Sequence, residues 1–203
     1  MSTTHQIDPH LVTIHNVRLS YAELFVAKQG RDAAGQPQGK AVFSCAFILD
    51  KAKNAEDIKN LTAAAVMTKK EKWKDKPVNL TGKSIRDGTE KEATDGYGPG
   101  IVFISARNEK RPQIVNKNLA AITAEDEEAP YSGCYVDARV RCWAQDNGFG
   151  KRINWSLEVV QFRRHGEPFG QKMAPAEATM SKIQDEGDGS VDAAPEHNPN
   201  EQI

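Results

Sequence analysis

Tyr131-Ser-Gly-Cys-Tyr-Val-Asp-Ala-Arg-Val-Arg-Cys-Trp-Ala-Gln145 divides into two faces when read with the two-residue period of a β-strand. Cys134, Val136, Ala138, Val140, Cys142 and Ala144 are small or apolar and form the side turned toward a core. Tyr131, Gly133, Tyr135, Asp137, Arg139, Arg141, Trp143 and Gln145 point the other way. Rings interleaved with guanidiniums offer stacking platforms beside phosphate partners. Stacking is worth roughly 1–3 kcal/mol per base whatever the base, and arginine–phosphate contacts make affinity fall with salt. The other reading is that a helix or loop covers this face and makes it a second core; Asp137 and the two arginines oppose full burial.

The neighbouring segments supply its partners. Asp146-Asn147-Gly148-Phe149-Gly150 is a hairpin signal, and Lys151–Phe162 pairs back onto the first strand. Ile153, Trp155, Leu157 and Val159 fall on one face of this second strand, with Arg152, Asn154, Ser156 and Glu158 on the other. Trp155 therefore reads as core, while Lys151 and Arg152 extend the basic track. Toward the N-terminus, Leu11–Leu19 reads as a strand that Tyr21–Ala27 extends or bends. Gln29–Gly39 is a loop at a hairpin tip, and Lys40–Leu49 is a strand with Phe43, Cys45, Phe47 and Leu49 on its core face. Asn54 is placed to cap a helix carrying Glu56 and Asp57 in its first turn. Ile58, Leu61 and Ala65 recur along it, and it fades into the solvated basic run Lys69–Lys76. Val78–Gly100 is a long connection, Ile101–Ala106 a strand, Gln113–Val115 a short one and Ala124–Pro130 an acidic loop. Tyr131–Gln145 is the longest strand in this reading. The fold class is mainly β: a small antiparallel barrel with one inserted mid-chain helix.

Two loops add cations to the outward aromatic strand: Lys83 and Arg86 in the long connection, and Arg107, Lys110 and Arg111 after Ile101–Ala106. At the other end of the chain the charge reverses. Asp185, Glu186, Asp188, Asp192, Glu196 and Glu201 stand between positions 185 and 203 with no Lys or Arg. Of 28 acidic residues these are six, leaving 22 against 27 basic in positions 1–184. A chain of formal charge −1 is thus a body of about +5 joined to a tail of −6. The tail has too little apolar surface to offset its chain entropy and is expected to be disordered. The organisation expected is a flexible N-terminus over 1–10, a binding domain over 11–172 and a disordered acidic tail over 173–203. A basic body with an acidic tail points to nucleic acid, the tail either competing for the same surface or recruiting partners; a purely solubilising tail is the plainer reading.

The same sequence narrows the remaining classes. No apolar run reaches 18 residues and Met1–His10 lacks an apolar signal region, so no membrane partner is expected. Cys45, Cys134 and Cys142 form no C-x-x-C pair and read as reduced, buried thiols of a cytoplasmic protein. His5, His10, His15, His165 and His197 are scattered, with no zinc-ligand spacing and no phosphate loop or nucleophile elbow nearby. No catalytic residue, metal or cofactor is assigned. Asp137 and Glu158 are the outward carboxylates available to a metal-dependent nuclease. A virion or assembly protein built on the same barrel is the other rival, and a homo-oligomer is compatible with either.

With these residues in view, the chain resembles phage single-stranded DNA-binding proteins of the OB-fold type over roughly residues 11–170. The likeness runs through Val17-Arg-Leu-Ser-Tyr21 with Leu24-Phe25, Phe43-Ser-Cys-Ala-Phe-Ile-Leu49 and Ile85-Arg-Asp-Gly88. It continues through Ser105-Ala106, Arg111-Pro-Gln-Ile-Val115, Tyr131-Ser-Gly-Cys-Tyr-Val136 on to Trp143, Val159-Val-Gln161 and Gly166-Glu-Pro-Phe-Gly170. The resemblance implies an OB-like barrel that coats single strands during viral replication or recombination, in the host cytoplasm. It also implies an acidic tail that engages replication or recombination proteins; here that tail ends on Ile203 and its last carboxylates are spaced by His197, Pro199 and Asn200.

Overall fold

The computed structural model describes residues 8–32, 34–74 and 76–170. The expected acidic tail, with Asp185, Glu186, Asp188, Asp192, Glu196 and Glu201, lies outside them. In chain order the elements are β1 (Leu11–Arg31), β2 (Pro37–Asp50), α1 (Ala55–Trp73), β3 (Arg86–Asp87), a 3-10 turn (Gly88–Lys91), β4 (Ile101–Asn108), β5 (Gln113–Val115), β6 (Tyr135–Asn147) and β7 (Gly150–Arg164). β1 pairs antiparallel with β2 (Leu19 opposite Phe47) and with β6 (Val12 opposite Val140). β2 pairs with β4 (Phe47 opposite Ile104), and β6 pairs with β7 (Cys142 opposite Trp155). A parallel contact of β4 with β7 at Ala106 and Trp155 closes the ring. The closed order β1-β2-β4-β7-β6 is the expected OB-like barrel, with β3 beside β4 and β5 parallel to β7.

The core side of β6 is as the alternation requires. Val136 and Val140 are fully buried, Ala138 and Cys142 nearly so, and they meet Ile14, Val17, Phe47, Trp155, Leu157 and Phe162 inside the barrel. Burial pushes the Cys134 and Cys142 thiols up to about 11, and that of Cys45 higher still. β6 begins at Tyr135, four residues later than expected, because Tyr131–Gly133 forms a turn with Gly133 at φ +110°. The Tyr131 ring packs against the core, its hydroxyl hydrogen-bonded to the Gly166 backbone.

β1, not β6, is the longest strand, with 21 residues. It stays in register by adding residues. Ile14 and Val17 are both fully buried although three apart, because the ladder shifts between them and Asn16 takes φ 49°. An extra residue swaps the face of everything after it, and Asn tolerates the left-handed region better than most. A second shift follows Ser20, with Tyr21 at φ 50°. Beyond it the paired arm of β1 and β2 extends through Gln29–Arg31 and Pro37–Gly39, so the expected loop shrinks to its tip. On β7 the same device places Glu158 as the extra residue: Arg139 opposes Val159 while Val140 opposes Leu157. Val159 therefore leaves the core face expected for it, and Val160 and Phe162 take over. Phe47 is core as expected, whereas Phe43 is only half-buried.

α1 lays Asp57, Leu61, Ala64 and Thr68 against the barrel. This stripe of three- and four-residue steps includes Leu61 of the expected set; Ile58 and Ala65 pack at its margin. Asn54 stands at the N-cap position but makes no side-chain cap bond. Its Oδ1 accepts from the Asp50 backbone N–H and its Nδ2 donates to the His15 carbonyl. Asp57 accepts from both the backbone N–H and Nδ1 of His15, each at 3.0 Å, pinning α1 to the β1 bulge. Trp73 Nε1 donates to Asp146 at 2.8 Å and fixes the other end of α1 to the β6–β7 hairpin. No described helix is long and apolar enough to cross a membrane. Of the segment expected to be flexible, Asp8–His10 are described and held down: Asp8 pairs with Arg141, and the His10 carbonyl accepts from Cys142 N–H.

Candidate nucleic-acid interface

A groove of about 790 Å³ crosses the outer faces of β2 and β4 and reaches the start of β7. Its floor is low because the outward residues there are small: Ser44 and Ala46 from β2, Ser105 from β4. One wall is Thr81–Ser84, held against β7 by two bonds. Thr81 N–H donates to the Lys151 carbonyl at 2.8 Å, and Trp155 Nε1 donates to the Ser84 carbonyl at 3.0 Å. The lining carries Lys83, Arg86, Lys91, Arg107 and Arg152 against a single carboxylate, Glu90. Arg86 pairs with Glu90 at 2.7 Å and lies 4.8 Å from the Phe103 ring centre. Lys83, Arg107 and Arg152 are exposed and form no ion pair among the described residues. The turn that presents Lys91 is anchored at Asp87, whose carboxylate accepts from Lys51 and from Thr89; these bonds hold it well below the usual carboxylate range.

Four of the residues singled out from the sequence thus meet in one groove: Lys83, Arg86, Arg107 and Arg152. Lys110, Arg111 and Lys151 do not line it. Arg111 lies 5.7 Å from the Phe25 ring centre at the base of the β1–β2 arm, and Lys151 faces Asp146 at 3.9 Å. The outward face of β6 is divided differently. Tyr135 has the Arg164 guanidinium 3.4 Å from its ring centre and Arg18 at 5.8 Å. Asp137 is bound by Arg163 at 2.8 Å. Arg141 bridges Asp8 at 2.5 Å and Glu158 at 2.7 Å. Arg139 is exposed, and Trp143 is 37 % exposed beside a hollow of about 420 Å³ shared with His10, Thr68, Glu71 and Lys72. Asn154, the cross-strand neighbour of Trp143, lines the groove, so Trp143 stands near its margin.

Sequence reasoning missed Tyr21 and Lys91, which also line the groove. An aromatic in the stretch that "extends or bends" β1 was the available signal for the first; Lys91 carries none, since it is one cation in a long connection. The two outward carboxylates each face a guanidinium, and among the described residues no three His, Cys, Asp or Glu side chains gather as a metal site.

The comparisons with known proteins converge. The single-stranded DNA-binding protein from bacteriophage Enc34, in its complex with ssDNA, superposes with a TM-score of 0.68 at 31 % identity, covering 79 % of this chain and 90 % of that one. The same protein without its C-terminus gives 0.67 at 30 % identity, covering 79 % and 88 %. Protein p50 of Acyrthosiphon pisum secondary endosymbiont phage 1 is 36 % identical over 167 residues, 78 % of this chain and 85 % of that protein. The family model described as "Enterobacter phage Enc34, ssDNA-binding protein" matches residues 10–189, and the chain belongs to that family.

Proposed function

We propose that this chain binds single-stranded DNA with little sequence preference, the strand lying in the groove over β2 and β4. The observation that carries this is the lining of five cations against one carboxylate above a floor of small side chains, between the β1–β2 arm and the β6–β7 hairpin. That is the face on which OB-folds bind oligonucleotides. Lys83, Arg86, Arg107 and Arg152 contact phosphates, and the small floor lets the backbone of the strand approach. The solved relative that this chain resembles at 31 % identity was captured with ssDNA, which supports the same ligand here. The family is one of binding proteins, and the chain is a binder, not a catalyst. Its place is the coating of exposed single strands during phage DNA replication or recombination, in the host cytoplasm.

Oligo-dT should bind more tightly than a duplex of equal length, and binding should weaken steeply with salt. Fluorescence anisotropy over a salt series checks this; equal affinity for duplex, or no binding at low salt, refutes it. The acidic residues Asp185 to Glu201 compete with phosphates for the cations or recruit replication or recombination proteins. If they compete, removing residues 185–203 tightens binding and makes its salt dependence shallower in the same assay, whereas unchanged affinity leaves them a recruiting or solubilising role.

A further inference from the structure

Tyr21 stands where the β1–β2 arm leaves the barrel, at the register shift between Ser20 and Glu23, with φ at 50°. A bulge re-aims the side chain it carries. Non-glycine residues keep such a backbone only where the surroundings enforce it, and they cluster at ligand sites. Here the bulge leaves the ring 49 % exposed over the groove. Tyr97 backs it at 6.5 Å and is itself packed edge-on against the buried Phe103 at 5.1 Å. The Lys91 ammonium rests 4.1 Å from the Tyr21 ring centre, 5.4 Å from that of Tyr97 and 5.5 Å from that of Phe103. Three rings hold this cation, and no carboxylate pairs with it among the described residues.

We propose that Tyr21 and Lys91 form an exchange site for one nucleotide: an unpaired base takes the face of Tyr21 that the ammonium covers, and the ammonium moves to the adjoining phosphate. This rests on the groove being the path of the strand. A stacked base is worth about 1–3 kcal/mol against about 0.5–2 kcal/mol for the half-buried cation–π contact, and Lys91 exchanges ring contacts for a full negative charge, so the exchange is favourable at both ends. The site selects unpaired nucleotides, because only they can offer a free base face.

The test uses the full chain with oligo-dT and an abasic oligomer of the same length, which keeps the phosphates and lacks the bases. Tyr21→Ala should weaken oligo-dT binding roughly 5- to 150-fold and shrink the preference for oligo-dT over the abasic strand by a similar factor. Tyr21→Phe, which keeps the ring, should retain both, with thermal melts showing each variant folded. Lys91→Gln should flatten the salt slope by about 0.7 while leaving the preference for bases in place. Arg107→Gln separates the two levels of inference. If it weakens binding while Tyr21→Ala stays within about twofold of the parent, the exchange site is wrong and the groove stands. If neither weakens binding, the groove itself is wrong.

Discussion

Replacing Lys83, Arg107 and Arg152 together by glutamine should weaken oligo-dT binding about 100-fold near 0.1 M salt, and flatten the plot of log affinity against log salt by about two. Each cation that neutralises a phosphate of a single strand releases about 0.7 of a counterion, so near 0.1 M each is worth roughly fivefold. These three are chosen because they are exposed and form no ion pair among the described residues; the carboxylate whose field Lys83 shares, Glu90, is already bound to Arg86. Arg141→Gln is the counterpart. That guanidinium is already bound to Asp8 and Glu158, so its removal should change affinity by no more than about threefold. The same change should lower stability by at most about 1 kcal/mol, since the three groups are partly exposed. Anisotropy titrations of the four-substitution series, with thermal melts beside them, check both halves. An unchanged salt slope in the triple variant would place the strand elsewhere on the barrel, with Arg139 and Trp143 on β6 next to be tested.

The contrast between those three cations and Arg141 shows where reading the sequence stops. Strand alternation separated Val136, Ala138 and Val140 from Arg139 and Arg141 correctly, because a core imposes a strict two-residue period on a regular strand. It did not say which outward arginine is free. Arg141 is neutralised by Asp8, 133 positions away, and by Glu158 on the paired strand. Such pairings depend on barrel closure and leave no local signature. The bulges escaped for a related reason. Nothing in His15-Asn16 or Glu158-Val159 breaks the pattern visibly until the partner strand fixes the register. Yet those extra residues decide that Val17 and Val160 face inward, and one more aims Tyr21 outward. The cations Lys83, Arg86 and Arg107, read from the sequence as loop residues, were legible as residue types; Arg86 and Arg107 stand on β3 and β4, and that they converge with Arg152 follows from the Ala106–Trp155 contact that closes the ring.

Gly133→Ala should be among the most damaging single methyl additions to this fold, costing about 3 kcal/mol or more. Gly133 holds φ at +110°, where an L side chain is strained, and a Cβ there would lie 2.2 Å from the Glu167 carbonyl oxygen and 2.8 Å from Pro168 Cα. Both obstacles are backbone, so no rotamer change relieves them. An imposed backbone strain of order 1–3 kcal/mol adds to an overpacking cost of similar size. The segment after β7 cannot simply move aside. Arg18 donates to the Gly133 and Glu167 carbonyls at 3.2 and 2.8 Å and lies 4.3 Å from the Phe169 ring centre, while Phe169 N–H donates to the Ser132 carbonyl at 3.0 Å. Shifting the segment therefore uncovers the Arg18 guanidinium and frees the Ser132 carbonyl together. At roughly 2–4 °C per kcal/mol for a domain of this size, the melting temperature should fall by about 6–12 °C. Gly148→Ala in the β6–β7 turn is the comparator, because nothing lies within 4 Å of its added Cβ and its φ is not in the left-handed range; its change should stay within about 0.5 kcal/mol. Equal melting temperatures for the two variants would mean that the segment after β7 is not clamped against the turn before β6, and that Arg18 is held by the Gly133 carbonyl and the Tyr135 ring without it.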